Sequence, residues 1–448
     1  MKDFNIWLTK PGGMIPALLL LLMLLLPGCS ALDVQVGPMA QPAGAVILVI
    51  DGLGSSYIYP EHNAYALDGS PLDKAVLFNL TGGGARAVDV RVPVPETTKS
   101  HSVLVTGRSD ADWDQLGPTV FDLAREEGYL CLAIMERGDS MSILEDMDAV
   151  LYLEDNALQG AEPTPGFRPD APEGLRTLFQ EWRDRFAGYS NRENMAGYAG
   201  YNAWALDAAA DTVEHLIGKP FIMLVNAGAV DSAGHNLNAS GYLQAVEALD
   251  APLGRLVWAC RKNNVLLVIT ADHGMVFPDQ EGEGGHSAEK YAARLEALRV
   301  PLVVQGPGTE ELNLGGQWSE MDVAPTVLAL LNVSSNTSSE GVALPVRKGG
   351  ILRVAGAPAG VELWGQGTCL ANASGDDEYI FRGLGWGEYT LKAGGRSWDV
   401  LVDGDDTIDL AEKTTMPVDI RRALGVIMIL IINLAGTVTI LRIWRRSE

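Results

Sequence analysis

The stretch Val265-Leu-Leu-Val-Ile-Thr-Ala-Asp-His-Gly-Met275 constrains this chain more than any other. Its apolar run from Val265 to Ile269 reads as a strand buried on both faces. The strand delivers Asp272 and His273, two metal-ligand types, to its carboxyl end, and Gly274 then frees the backbone. Open α/β sheets build their sites at that end. A polar loop with an incidental histidine is the plain alternative, and two further strands decide against it. Ala45-Val-Ile-Leu-Val-Ile50 ends at Asp51-Gly-Leu-Gly, and Phe221-Ile-Met-Leu-Val225 leads through Asn226 to Asp231-Ser-Ala-Gly-His235. His286, in Glu-Gly-Gly-His, follows soon after. Three Asp and three His placed in this way suit two adjacent divalent cations, Zn2+ or Mn2+.

Strands and helices alternate through the first three quarters of the chain. Residues 119–128 read as a helix closed by Gly128, 129–135 and 148–153 as strands, and 203–216 as an Ala-rich helix with His215 a surface or packing residue. Leu243, Val246, Leu249, Leu253, Leu256, Val257 and Cys260 keep helical spacing across Pro252, which predicts one kinked helix. A strand at 299–308 and a helix at 322–331 follow. The expected class is therefore α/β, a mostly parallel sheet with helices on both faces. From about Gly341, Gly, Thr and aromatic residues alternate in short strands, the pattern of a small β-sandwich over 341–412. Residues 30–44 read as a linker and 45–340 as the catalytic domain.

Both ends point to export. Residues 14–26 are an apolar run behind Lys2 and Lys10, too short to span a bilayer and typical of a secretory signal. The expected signal is 1–29, and Cys29 is a candidate for lipidation. Residues 423–441 carry no charge and are long enough to cross a membrane, and Arg442, Arg445 and Arg446 then make 442–448 a basic cytoplasmic tail. That topology puts the catalytic domain outside the cell membrane. With 57 acidic against 33 basic residues and a formal charge of −24, nucleic acid is not an expected partner. Four Cys make no disulfide framework, and Cys131 and Cys260 read as packed thiols. Sequons at Asn79, Asn238, Asn332, Asn336 and Asn372 agree with export.

Two cations about 3.5–4 Å apart can clamp both the attacking and the leaving oxygen of a displacement at phosphorus. The segment Glu96-Thr-Thr-Lys-Ser-His-Ser-Val-Leu-Val-Thr-Gly107 offers hydroxyls at Thr97, Thr98, Ser100 and Ser102 where a helix begins. A helix N-terminus favours a phosphoryl anion, although hydroxyls there also serve as caps. Lys99 and Asn226 are close enough in sequence to the ligand positions to touch a phosphate.

Taken together, Asp51, Thr97 with His101 and Gly107, Asp231-X-X-X-His235, Thr270-Ala-Asp-His-Gly274 and His286 resemble the alkaline phosphatase superfamily. The resemblance covers about 45–331. It implies that Thr97 is the nucleophile, that one metal is held by Asp51, Asp272, His273 and Thr97, and that the other is held by Asp231, His235 and His286. The stretches around Asp231 and Asp272 are similar to cofactor-independent phosphoglycerate mutases, and 97–107 to nucleotide pyrophosphatase/phosphodiesterases. The run Gly383-Leu-Gly-Trp-Gly-Glu-Tyr-Thr-Leu-Lys resembles PEGA-like and carboxypeptidase-regulatory-like modules. The implied activity is hydrolysis of phosphate esters through a phosphothreonine. A transferase or phosphomutase on the same fold, and a non-catalytic cell-surface protein, are the alternatives.

Overall fold

The computed structural model describes residues 32–36 and 42–410, apart from short stretches at 82–83, 115, 137–141, 146, 155–157, 159, 190–193, 335–338, 347–349, 358–359, 366, 376–377, 385–386 and 403–404. The expected signal with Cys29, the 423–441 span and the basic tail lie outside the described residues. Among the described residues no helix is long and apolar enough to cross a membrane. The described residues divide into two compact units, one within 42–346 and one in which residues 32–36 join those of 350–410.

The larger unit is built on a nine-stranded sheet. In spatial order its strands are Asn313–Ser319, Ala85–Arg91, Arg299–Gln305, Val265–Thr270, Gly44–Val49, Phe221–Asn226, Leu130–Glu136, Ala149–Leu153 and Thr164–Phe167. The five from Val265–Thr270 to Ala149–Leu153 run parallel. Every residue of the three central strands is buried, as their unbroken apolar runs require when helices cover both faces. Arg299–Gln305 lies antiparallel to both of its neighbours. Thr164–Phe167 forms a second antiparallel strand, at the edge.

Register is what creates the site. Val49 lies opposite both Thr270 and Asn226. Asp51 and Asp272, each two residues beyond that aligned row, therefore emerge side by side at the sheet's carboxyl end.

The expected kinked helix is two helices, Ala239–Glu247 and Asp250–Lys262. Pro252 is the third residue of the second, where its missing N–H forfeits no intrahelical bond, so the chain turns before the proline rather than bending at it.

The second unit has two four-stranded sheets around one core containing Leu352, Val354, Leu363, Tyr379, Phe381, Leu391 and Val402. Its strands begin at Gly350, later than the composition change at Gly341 suggests. Residues 340–344 stay with the larger unit because Glu340 N donates to Gly107 O, Val342 N to Asp322 Oδ1 and Leu344 N to Thr326 Oγ1. Leu32–Gln35, expected as linker, is instead a strand, parallel to Glu378–Leu384. Only a partner more than 340 residues away in sequence makes it one.

Candidate metal centre

Six of the anticipated ligands form two groups. Asp51, Asp272 and His273 make one, and Asp231, His235 and His286 the other; within each, the ligating atoms lie within 4.8 Å of one another. His273 Nε2 is 3.4 Å from both Asp51 Oδ1 and Asp272 Oδ2. Asp231 Oδ1 is 3.4 Å from His235 Nε2 and 3.6 Å from His286 Nε2. These contacts are too long for good hydrogen bonds. They match the spacing of two ligands that share a tetrahedral ion, about 3.4 Å when each bond is about 2.05 Å. Asp231 Oδ1 and Asp272 Oδ2 are buried without a hydrogen-bond partner, which fits atoms left for a cation. The residues present fit two divalent ions.

Each ligand is aimed by a second contact. Asp272 Oδ1 accepts from Gly52 N at 3.1 Å and from His273 N at 2.9 Å, which turns Oδ2 toward the cluster. His273 Nδ1 donates to Gly274 O at 3.0 Å and His286 Nδ1 to Pro95 O at 2.7 Å. A carbonyl only accepts, so both rings carry the proton on Nδ1 and present an Nε2 lone pair. Asp231 and His235 share one face of the Ala229–Asn236 helix at a spacing of four residues. The bridge between Val276 and Gly285 and the bond from Gly284 N to Gly234 O fold the following loop back, and so bring His286 to His235.

Glycine permits the close approach. Gly52 has φ +77°, and a Cβ there would meet Asp231 Cα at 2.9 Å. The two groups share a wall, with the His273 and His286 rings stacked at 3.6 Å and 10°. Burial, and then the neighbouring His273, push the His286 imidazole down to about 4. Burial raises Asp231, but the contact with His235, and then the neighbouring imidazoles, outweigh it and hold the carboxyl below its ordinary value. The same contact raises His235. A neutral His286 and an ionised Asp231 are the forms that bind metal.

Thr97 is the first residue of the Thr97–Thr106 helix. The cap position belongs to Glu96, whose side chain makes no cap bond. Thr97 Oγ1 lies 3.0 Å from His273 Nε2. The other hydroxyls do different work: Ser100 Oγ contacts Asp272 O, and Ser102 Oγ donates to Thr98 O. Lys99 is half-buried in the first turn of that helix. Asn226, anticipated as a phosphate contact, is fully buried and donates from Nδ2 to Asp51 Oδ2 at 3.3 Å. Asn226→Ala is therefore expected to weaken binding of one cation by about tenfold or more, read by titration calorimetry. Unchanged cation affinity with a raised KM would return Asn226 to the substrate.

Two buried residues at the site, Tyr242 and Glu320, carried no sequence signal, and Ser100 was one hydroxyl among four. Tyr242 Oη donates to Gly52 O at 2.9 Å and accepts from Gly54 N at 3.3 Å, bracing the loop after Asp51. Ser100 and Glu320 meet behind Asp272. Burial, with Asp272's charge adding to it against the contact with Ser100, holds the Glu320 carboxyl well above the usual range.

An α/β sheet with two His/Asp clusters at its carboxyl edge has the form of a two-metal centre. A family model described as the Metalloenzyme superfamily matches residues 185–335, a span that holds Asp231, His235, Asp272, His273 and His286. The 2,3-bisphosphoglycerate-independent phosphoglycerate mutase of Brugia malayi is 32% identical over 123 residues, 27% of this chain and 22% of the relative. That of Psychrobacter arcticus is 33% identical over 124 residues, 28% of this chain and 21% of the relative. The matched region thus spans about a fifth of the length of these curated relatives. The solved structure of the wild-type alkaline phosphatase PafA shares the fold with a TM-score of 0.50 at 12% identity, covering 69% of this chain and 99% of that one. Residues 185–335 thus carry the Metalloenzyme superfamily match, on a fold shared with an alkaline phosphatase.

Proposed function

We propose that the protein is a two-metal hydrolase of phosphate esters, a phosphodiesterase or phosphomonoesterase, acting through a phosphothreonine at Thr97. The observation that carries this reading is the placement of Thr97 Oγ1 against His273, at a helix N-terminus and beside the paired clusters. When bound, two divalent cations, Zn2+ or Mn2+, supply Lewis-acid stabilisation of the charge that builds on the phosphoryl oxygens. Thr97 Oγ1 forms the new bond to phosphorus as the bond to the departing alcohol breaks. Water then attacks the phosphothreonine, releasing phosphate from a monoester or the remaining phosphate monoester from a diester, and regenerating the hydroxyl. The opening N–H groups of the Thr97–Thr106 helix favour the phosphoryl anion throughout. The leader-like run at 14–26 and the uncharged run at 423–441 support a membrane-anchored enzyme whose catalytic unit faces outside.

The mutase relatives make phosphoryl transfer the second reading. The test compares a nitrophenyl phosphate monoester, a bis(nitrophenyl) diester and 3-phosphoglycerate, with Zn2+ or Mn2+ supplied. Release of nitrophenol supports hydrolysis, and the preferred ester decides between monoesterase and diesterase. Interconversion of phosphoglycerates without nitrophenol release would install the transferase instead.

A further inference from the structure

Ser100 lies one turn beyond Thr97 on the same helix and is fully buried. Its Oγ is 2.5 Å from the backbone carbonyl oxygen of Asp272 and also meets Glu320 Oε2 in a short contact. A serine hydroxyl owns one proton, so it satisfies only one of these two oxygens as donor. The carbonyl has no proton to return. The second contact is a hydrogen bond only if the carboxyl brings a proton of its own. Glu320 is 0% exposed, and its other oxygen, Oε1, is buried without a hydrogen-bond partner. A neutral acid tolerates that setting far better than a carboxylate, which would be an uncompensated buried charge.

We propose that Glu320 is a neutral positioning acid: its proton goes to Ser100 Oγ, the Ser100 proton goes to the Asp272 carbonyl, and this chain clamps the Thr97 helix to the strand tip that carries Asp272 and His273. Three elements meet in the clamp. Glu320 opens the short turn Glu320–Asp322, whose Asp322 closes a capping box with Ser319 and whose backbone leads into the buried Val323–Leu331 helix. The clamp is thereby anchored to a rigid element of the core rather than to a loop. Asp272 follows its strand directly, and Ser100 is three residues from Thr97. Loosening Ser100 therefore changes the distance between Thr97 Oγ1 and the cluster, while the six ligand side chains keep their own supports. Glu320 reaches Asp272 only through Ser100 and touches no reacting atom, so its effect is on placement.

The protonation half of this inference stands apart from the proposed function; the kinetic half rests on Thr97 as nucleophile. Infrared difference spectra of the full-length protein at neutral pH, with and without Zn2+, should show a protonated-carboxyl band that Glu320→Gln removes. Glu320→Gln retains a donor to Ser100 and is expected to keep kcat within about threefold, whereas Glu320→Leu fills the space without one and should lower kcat about 10- to 100-fold with KM and bound metal little changed. Ser100→Ala should reproduce that loss, and the Glu320→Leu/Ser100→Ala pair should add nothing to it. If Glu320→Leu does not fold, Ser100→Ala and the infrared band decide. The proposal is overturned if no band is assignable to Glu320, if Gln is as damaging as Leu, or if the two losses add. A protein that shows the band yet turns over esters without Thr97 would keep the neutral acid and retire the nucleophile.

Discussion

Thr97→Ala is expected to abolish ester turnover, by roughly 10⁴- to 10⁶-fold in kcat, as loss of a covalent nucleophile does. It should leave both cations in place. The competing role for a hydroxyl at a helix start is capping, and removing a cap costs only about 1 kcal/mol of stability with little effect on chemistry. The structure separates the two roles, because Glu96 holds the cap position and Thr97 Oγ1 faces His273 Nε2 at 3.0 Å. Thr97→Ser keeps an attacking oxygen and should retain most of the activity. Trapping with labelled substrate and acid quench should yield phosphothreonine from the parent and none from Thr97→Ala. A Thr97→Ala protein that binds two metals and still releases nitrophenol at more than about one hundredth of the parent rate would mean that water attacks directly, and Thr97 would become a metal-positioning group.

The sequence made the ligand types legible and left most of their supports hidden. Val265–Thr270, Gly44–Val49 and Phe221–Asn226 could be read because a strand covered on both faces must be apolar throughout. Their ends could be read because Asp and His there have no packing role to fill. Register is a different matter: nothing local says that Val49 pairs with Thr270 and Asn226, yet that pairing sets Asp51 beside Asp272. Asn226 looked like a phosphate contact from its nearness in sequence, and its neighbour in space is Asp51. Ser100 is hidden among four similar hydroxyls, and Glu320 lies 34 residues beyond His286, the last ligand. Tyr242 looks like any aromatic on the buried face of a helix. The antiparallel Arg299–Gln305 and the distant pairing of Leu32–Gln35 were hidden for the same reason, since both depend on tertiary approach. Propensity and period describe a segment's own preferences, not its partner.

Asp51→Asn is expected to reverse the sign of its effect on stability when metal is added. Asp51 and Asp272 are 2% and 0% exposed, and each brings an oxygen to 3.4 Å from His273 Nε2. Two buried carboxyl groups converging on one point destabilise the fold unless a cation lies between them. The substitution keeps the shape. An amide at this position can still turn its oxygen toward Asn226 Nδ2, which now donates to Asp51 Oδ2 at 3.3 Å. In chelator, Asp51→Asn should therefore melt higher than the parent. In saturating Zn2+ or Mn2+ the order should invert, because a ligand bound only to the folded state contributes RT ln(1 + [L]/Kd), about 4 kcal/mol at a thousandfold excess over Kd. An amide is a much weaker partner for a divalent cation than a carboxylate, and a hundredfold loss of affinity removes about 2.7 kcal/mol of that gain. Thermal melts of parent and variant across a metal titration read both limbs in one experiment, and the curves should cross. Equal destabilisation with and without metal would mark Asp51 as a structural carboxylate. Crossing curves would show that this site is tuned against its own fold, with apo stability given up to hold the ion.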